Sequence, residues 1–315
     1  MPYWDNVTRS FRIAWSHKYL WLIALFSGEG GGGFSFNYNQ SSTANQPSAP
    51  EVQRQVTTWL TDHLALVVVL VILWLVLIVV FFILGAVCEG ATVRASAEHD
   101  AERPFGLGMA WRSGVNTMWV MVRFRLLLLA LYLPLLALIA VWLVGLFIAI
   151  ANHNAYAAPV LILTGFLLLL LWLVYGVYLF FLDRFGARAV VLEQLYARAS
   201  IVRAHRLLVK RFGRALLVLL LAVGVAIVLG IVLACFSAIV FLPLLAAGAL
   251  VASTGQGALG AVVILGVIIL VPIYLVVAAF LAAQGSTYWT LAFRRMDIDY
   301  APAFSYQAAP PAPQQ

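Results

Sequence analysis

The sequence predicts an all-α integral membrane protein, with six transmembrane helices in three helical-hairpin repeats and a cytoplasmic interfacial amphipathic helix before each hairpin. The first observation behind this prediction is composition. Of 315 residues, 64% are hydrophobic and 10% are charged, whereas roughly a quarter of a soluble domain is charged. The second observation is a set of long charge-free runs, and the third is the one-sided distribution of Lys and Arg between them.

The predicted spans lie in stretches without Asp, Glu, Lys or Arg. A transmembrane helix needs about 20 consecutive apolar residues. Residues 63–88 are long enough for one span, and residues 126–182 and 215–293 are each long enough for two. The remaining span is the weakest, because residues 19–26 form only a short apolar run directly after Lys18. This run crosses the membrane only if its helix starts earlier and the Lys18 side chain extends to the headgroups.

Three stretches have the periodicity of amphipathic helices. Each has an apolar stripe opposite basic residues, and each stands before a predicted hairpin, where an interfacial helix is expected. The stripes consist of Trp4, Val7, Phe11 and Trp15; of Leu107, Trp111, Val115, Met118 and Val122; and of Ile201, Ala204, Leu208 and Phe212.

Short sequence matches recur at a nearly constant spacing and predict an internal threefold repeat. Within the amphipathic stretches, the pairs Ala14-Trp15, Ala110-Trp111 and Ala204-His205 are 96 and 94 residues apart. After the second span of each hairpin, Gly90, Gly186 and Gly285 are 96 and 99 residues apart. We therefore predict a single membrane domain over residues 1–300, with parallel repeats at about 3–100, 101–197 and 198–300.

Two segments are expected to lie outside the packed part of this domain. Residues 28–56 are rich in Gly, Asn, Gln and Ser, a composition that predicts a flexible external loop. Residues 301–315 are rich in Pro, Ala and Gln, and we expect a disordered cytoplasmic tail.

The distribution of positive charge predicts the orientation. With a cytoplasmic amino terminus and six spans, eighteen of the nineteen Lys and Arg residues lie inside and only Arg54 lies outside. If the first segment does not cross, the split is fifteen to four. A re-entrant segment over residues 10–28 and a cleaved signal peptide over residues 1–28 are alternatives. The larger asymmetry favours six spans in a bacterial inner membrane, with both termini cytoplasmic.

The amino-terminal motif carries a resemblance to a known group of proteins. The sequence Phe11-Arg-Ile-Ala-Trp15 is followed by Trp21-Leu-Ile-Ala-Leu-Phe26 and a glycine-rich loop. This pattern, with hydrophobic hairpins that end on Gly-Ala, resembles bacterial six-span proteins that often bear the name of the glycerophosphoryl diester phosphodiesterase membrane domain. The resemblance covers most of residues 3–297. The name derives from a separate soluble catalytic domain, which we do not expect here, so the resemblance implies no phosphodiesterase activity.

The predicted spans lack the ionisable groups that pumps, ion-coupled transporters and membrane enzymes carry at membrane depth. Every Asp, Glu, Lys and Arg is expected at an interface or in a loop, and no His, Cys or acid has the spacing of a metal site. The densest polar cluster consists of Glu98, His99, Asp100 and Glu102. We interpret it as a solvated cytoplasmic loop, and we expect no enzymatic activity, no metal and no cofactor.

Three functional classes remain open. A non-enzymatic scaffold or accessory protein that contacts lipid headgroups or a partner fits best, since it needs no buried charge. A channel or carrier for apolar or lipid-like molecules is the alternative, and a membrane enzyme is the third class. The expected partners are membrane lipids, a protein or a second copy of the chain. We expect no nucleic acid, because the positive-inside rule accounts for the net charge of +7.

The basic segment before the third hairpin is the best candidate for a functional surface. Arg203, Arg206, Lys210 and Arg214 fall on one face of the predicted amphipathic helix. We predict that these four residues bind anionic lipid headgroups, because a flat interfacial helix presents its cations to that layer. A role in fixing topology alone is the simpler interpretation and stays open.

Overall fold

The computed structural model describes residues 4–27, 49–151, 157–254 and 257–297, and helices account for nearly all of them. The helices are α1 (Trp4–Ser16), α2 (Tyr19–Phe26), α3 (Ala49–Asp62), α4 (Leu64–Asp100), α5 (Leu107–Ala151), α6 (Ala157–Leu192), α7 (Ala197–Lys210), α8 (Phe212–Thr254) and α9 (Gly257–Asp297). No strand occurs in these ranges, and the predicted all-α class is confirmed.

Five helices, α4, α5, α6, α8 and α9, contain stretches long and apolar enough to cross a membrane. The shortest of them, α6, has 36 residues and is about 54 Å long, well beyond the roughly 30 Å of a hydrocarbon core. In contrast, α2 has eight residues and is only about 12 Å long. Residues 28–48, which follow α2, lie outside the described ranges. The structure therefore contains five helices of spanning length, and the sixth span stays a prediction.

The second amphipathic stretch is not a separate helix. It is the first part of α5, which continues into its apolar stretch and through Pro134. Residues 115–133 contain neither glycine nor proline, so nothing ends the helix where the amphipathic part becomes apolar. The first and third stretches do form helices of their own, because turns near His17 and Arg211 separate α1 from α2 and α7 from α8.

The buried core lies at one end of the long helices, beyond their most apolar stretches. Its residues concentrate in 85–98 of α4, 179–191 of α6 and 279–296 of α9. The hydroxyl groups of Ser96 and Thr287 form a hydrogen bond of 3.0 Å that joins α4 to α9. The ends of three helices that are distant in sequence thus pack into one core.

The apolar stretches themselves face outward. Nearly every residue from 64 to 81 in α4 and from 160 to 174 in α6 is exposed. In water such a surface would be unstable, but lipid tails are as apolar as leucine and leave little reason to bury it. Close packing is therefore needed only where the helices leave the apolar stretch.

The amino-terminal helices dock against the last helix. The buried face of α1 combines polar and apolar residues and consists of Asn6, Val7, Ser10, Ile13 and Ala14. The side-chain amide of Gln284 in α9 donates a hydrogen bond to the Ser10 hydroxyl at 3.2 Å. Asp100, at the end of α4, accepts from Arg9 of α1 at 2.7 Å and from Arg294 of α9 at 2.5 Å. These contacts hold α1, α4 and α9 together.

The two predicted non-membrane segments are described only in part. Of the flexible loop predicted over residues 28–56, residues 49–56 form the beginning of α3. The rest of that loop and the tail predicted over residues 301–315 lie outside the described ranges.

Candidate functional site

A buried ion pair joins α4 to α5. The Glu89 residue is 3% exposed, and its Oε2 atom accepts from Arg125 Nη2 at 2.5 Å and from Arg125 Nε at 3.1 Å. Two charge-assisted hydrogen bonds from one guanidinium fix both the distance and the orientation of the partners. The pair lies where the charge-free run of α4 ends and that of α5 begins.

The same guanidinium also binds the end of α2. Arg125 Nη2 donates to the backbone carbonyl of Ser27 at 2.9 Å and to that of Gly85 at 3.3 Å. The last carbonyls of a helix have no intrahelical donor and carry partial negative charge. A cation there donates hydrogen bonds to these carbonyls and is attracted by their charge. Arg125 thus links α2, α4 and α5 at a single point.

Close contact between α4 and α5 depends on two glycines. A Cβ atom on Gly114 would lie 2.2 Å from the backbone oxygen of Val87, and a Cβ on Gly90 would lie 2.7 Å from Thr117 Oγ1. No side chain fits at Gly114 without moving a backbone, so glycine permits the helices to touch there. This approach places the Glu89 carboxylate next to α5 and out of solvent.

An apolar groove of about 490 Å³ lies beside the ion pair, between α2, α4 and α5. Its lining is almost entirely apolar and consists of Leu22, Ile23, Phe26, Leu84, Cys88, Leu107, Gly108 and Trp111. The volume lies in the range of small-molecule sites, roughly 300–1,000 Å³. The groove offers a ligand an apolar surface of defined shape, whereas the adjacent charges of Glu89 and Arg125 are already paired with each other.

This ion pair was not predicted from the sequence. Every Asp, Glu, Lys and Arg was expected at an interface or in a loop, and neither Glu89 nor Arg125 was singled out. A signal was present: Glu89 directly follows the charge-free residues 63–88, and Arg125 directly precedes the charge-free residues 126–182. Opposite charges at facing ends of consecutive antiparallel helices lie on one side of the membrane and are expected to meet.

A second cation that the sequence analysis did not single out is Arg188 of α6, which is fully buried. It donates to the Arg184 carbonyl at 3.0 Å and to the Ser286 carbonyl of α9 at 3.4 Å. Because a buried guanidinium requires several acceptors, these contacts tie α6 to α9 within the core. The geometry indicates a structural role for this residue.

The polar cluster at residues 98–102 is built into the junction of α1, α4 and α9. Glu98 pairs with Arg94 at 2.8 Å and with Arg103 at 3.5 Å. Asp100 makes the contacts with α1 and α9 described above. The interpretation as a solvated loop is therefore wrong for these two acids, which are mostly buried and neutralised by basic side chains.

His99 belongs to the same junction but faces α2. Its ring stacks on His17 with centroids 3.6 Å apart, and its Nε2 atom lies 2.5 Å from the Tyr19 hydroxyl. That hydroxyl also donates to the Phe105 carbonyl at 3.2 Å. Among the described residues, no group of three His, Cys, Asp or Glu side chains is arranged to hold a metal ion.

The four predicted headgroup-binding residues do not share one environment. The Arg203 guanidinium makes hydrogen bonds of 3.1–3.2 Å to both carboxylate oxygens of Glu193. In contrast, Arg206 and Lys210 of α7 and Arg214 are exposed. Arg214 lies in α8, because a turn at Arg211 ends α7, so the prediction of one helix that carries all four cations is wrong. The structure therefore separates Arg203, which holds α7 to the end of α6, from three cations on the outer surface.

The comparison with known families covers almost the whole chain. A family model described as a family of unknown function, DUF7544, matches residues 6–292. The chain belongs to the DUF7544 family. The match includes both residues of the buried pair, the apolar groove and α7, so the candidate site lies within the family's common region. No curated protein and no solved structure matches the chain at a significant level.

Membership of DUF7544 agrees with part of the resemblance found in the sequence. That resemblance covered most of residues 3–297, nearly the same stretch, and it also pointed to a family without an established activity. The DUF7544 match brings no connection to a glycerophosphoryl diester phosphodiesterase, so that connection stays a prediction.

Proposed function

We propose that this protein is a non-enzymatic scaffold or accessory protein of the bacterial inner membrane that contacts anionic lipid headgroups, alone or together with a protein partner. The observation that carries the proposal is that α7 is buried on one side and exposed on the other. One side packs into the protein through Ala204, Leu207 and Leu208. The other side is exposed and combines apolar and basic residues.

The composition of the outer side of α7 is typical of a helix in the headgroup layer. Val202 and Val209 are exposed near its middle, with Arg206 and Lys210 beside them. Short apolar side chains suit the acyl boundary, and the flanking cations suit the phosphates above it. Each cation near an anionic surface contributes about 1 kcal/mol to membrane binding, so several cations together favour anionic over neutral lipid.

The proposal includes the threefold repeat, with six spans and both termini in the cytoplasm. Ala14, Ala110 and Ala204 are all fully buried, and each is followed by an exposed ring: Trp15, Trp111 and His205. Ser10 and Ser200, four residues before the first and third alanines, are both buried and donate to the carbonyl three residues earlier at 2.8 Å. These shared surroundings support the repeat that we propose.

The outward apolar stretches support contact with lipid or with a second copy of the chain. Residues 64–81 of α4 and 160–174 of α6 expose large side chains along their length. In a bilayer, small residues drive close helix association, and these stretches consist mainly of Leu, Val and Ile. We therefore assign them to lipid contact first and to self-association second.

The test is extraction of the whole protein from its native membrane in polymer-bounded lipid discs, followed by identification of the lipids and proteins retained. Enrichment of anionic lipid over the bulk membrane, reduced in the variant with Arg206, Lys210 and Arg214 replaced by Gln, would support the proposal. Lipid of bulk composition in both discs, with no partner retained, would contradict it.

A carrier of lipid-like molecules is the second candidate, and the apolar groove between α2, α4 and α5 favours it. A path for an apolar molecule needs no buried charge along its length, and this groove has an almost wholly apolar lining. The test is transfer of a fluorescent phospholipid between the leaflets of vesicles that contain the purified protein. A rate equal to that of protein-free vesicles would exclude this candidate.

A further inference from the structure

The groove between α2, α4 and α5 has a defined floor and two walls. Ile23 and Cys88, both nearly fully buried, form its floor together with Leu84. The α2 wall consists of Leu22 and Phe26, and the α5 wall consists of Leu107, Gly108 and Trp111. The floor is therefore fixed by the packed part of the protein, and the walls belong to different helices.

The groove opens on a surface with lipid-facing character. Its wall residues Leu22, Phe26 and Trp111 are 59%, 41% and 45% exposed. The α5 wall continues along one side of that helix into Val115 and Trp119, which are also exposed. Exposed tryptophans at helical spacing are typical of the membrane–water boundary. An occupant from the bilayer would reach the groove without passing through water.

The two ends of the groove differ in polarity. Leu84 and Phe26 lie at one end, next to Gly85 and Ser27, where the Arg125 charge is already paired with Glu89. Lys18 is exposed at the turn before α2 and stands one helical turn before Leu22, on the same side of the helix, so we place its charge beyond the other end. An occupant with an apolar tail and an anionic head matches this polarity.

We propose that the groove binds one acyl chain of an anionic phospholipid, with the tail along Ile23, Leu84 and Cys88 and the phosphate near Lys18. This rests on the proposed membrane placement, and it adds a specific lipid site to the general headgroup contact of α7. The groove volume of about 490 Å³ suits one chain and not a whole bilayer lipid, since larger ligands fill sites at the top of the range of roughly 300–1,000 Å³.

Gly108 provides a direct test, because a Cβ atom there meets nothing within 4 Å. The change Gly108→Trp places a bulky ring in the groove and leaves the packed residues untouched. Gly213→Trp is a matched control: Gly213 is also the second residue of its helix, also has no atom within 4 Å of a Cβ, and lies on α8 away from the groove.

The full-length protein is placed in lipid discs of phosphatidylethanolamine and phosphatidylglycerol with a trace of phosphatidylglycerol that has a diazirine in one acyl chain. After illumination, labelled peptides are identified by mass spectrometry. Labelling at residues 22–26, 84–88 and 107–111 is expected in the wild type and in Gly213→Trp. In Gly108→Trp it should fall about tenfold, which corresponds to 1.4 kcal/mol of lost binding.

Two further arms fix the identity of the ligand. A diazirine fatty acid in place of the phospholipid separates a free acid from a lipid chain, and equal or stronger groove labelling by the acid would overturn the phospholipid assignment. Lys18→Gln should reduce groove labelling by phosphatidylglycerol but not by a diazirine phosphatidylethanolamine. If Gly108→Trp fails to fold, Leu22→Glu, which puts an anion at the exposed wall, takes its place.

The proposal is overturned if Gly108→Trp and Gly213→Trp label alike, or if label appears only on the outward apolar stretches such as residues 64–81. It is also overturned if the groove peptides are cross-linked to a co-purifying protein in place of lipid. These outcomes are separate from a failure of the proposed function, since anionic enrichment that depends on Arg206, Lys210 and Arg214 is measured in native-membrane discs without any change at Gly108.

Discussion

Arg125 Nη2 of α5 lies 2.5 Å from Glu89 Oε2 of α4 and 2.9 Å from the carbonyl oxygen of Ser27, at the end of α2. One guanidinium thus connects three helices, although its partners are 36 and 98 residues away in sequence. A buried charge of this kind is costly to isolate, because the remaining partner cannot regain water. The ion pair therefore offers the sharpest test of the packed core.

We expect Glu89→Ala to destabilise the protein by about 3–5 kcal/mol, since it leaves the Arg125 charge buried without its carboxylate. The measurement is the free energy of unfolding in lipid discs or bicelles. The double variant Glu89→Leu with Arg125→Met should recover much of the loss, because it removes both charges. A Glu102→Ala control should change stability by less than about 0.5 kcal/mol, as the Glu102 side chain is 88% exposed. Equal effects at Glu89 and Glu102 would refute the assignment.

At the crossing of α4 and α5, we expect Gly114→Ala to cost about 1–3 kcal/mol. The added Cβ would lie 2.2 Å from the Val87 oxygen, so the helices must separate. Gly145→Ala in the same helix meets nothing within 4 Å and should be neutral or stabilising by up to about 1 kcal/mol. The melting temperatures of the two purified variants provide the comparison. A fall of the same size in both would contradict the contact at Gly114 as the cause, since helix propensity alone favours Ala over Gly at either site.

The cations of α7 and of the first turn of α8 should have two different roles. Replacing Arg206, Lys210 and Arg214 by Gln should reduce the retention of anionic lipid, and the effect should shrink in high salt, where screening shortens the range of surface charges. Arg203→Gln should instead lower stability, since it loses the hydrogen bonds to Glu193. Lipid analysis and thermal unfolding of both variants measure this difference. Retention that falls equally in both would contradict the separation.

For topology, reporter fusions after Gln46 and after Gln307 should report opposite sides of the membrane. This expectation comes from the distribution of Lys and Arg, of which only Arg54 lies outside in the six-span arrangement. An alkaline phosphatase fusion is active only outside, and a fluorescent protein fusion is bright only inside. The same side for both sites would refute this topology, because five candidate spans, an odd number, separate the two positions.

The sequence was sufficient to predict most of the helices, but not which face of each helix is buried. In a soluble protein the stripe Trp4, Val7, Phe11 and Trp15 would point into the core. Here Trp4 and Trp15 are exposed, and of this stripe Val7 is buried, together with the polar Asn6 and Ser10 and the small Ala14. The reason is the solvent: lipid accepts large apolar side chains, while small and polar residues allow close contact and hydrogen bonds between helices. Periodicity identifies an amphipathic helix, but the surroundings decide which side turns inward.

The candidate site could not be predicted from the sequence, for a related reason. Glu89 and Arg125 looked like ordinary interfacial charges, since hydropathy records where a charged residue stands along a span and not what lies across from it. Their pairing depends on the close approach of α4 and α5 at Gly114. The groove likewise combines residues of α2, α4 and α5, so no pattern within one helix predicts it.

The docking of α1 and α2 against α9 has a consequence for biosynthesis. A chain emerging from the ribosome presents its first helices long before its last one, so Ser10 must wait for Gln284, and Asp100 must wait for Arg294. Until residues near the carboxyl terminus arrive, the amino-terminal helices have no complete partner surface. A chain that stops before α9 would therefore leave α1 and α2 without their α9 contacts, and quality-control proteases would meet this partly docked region as the exposed part of an unfinished protein.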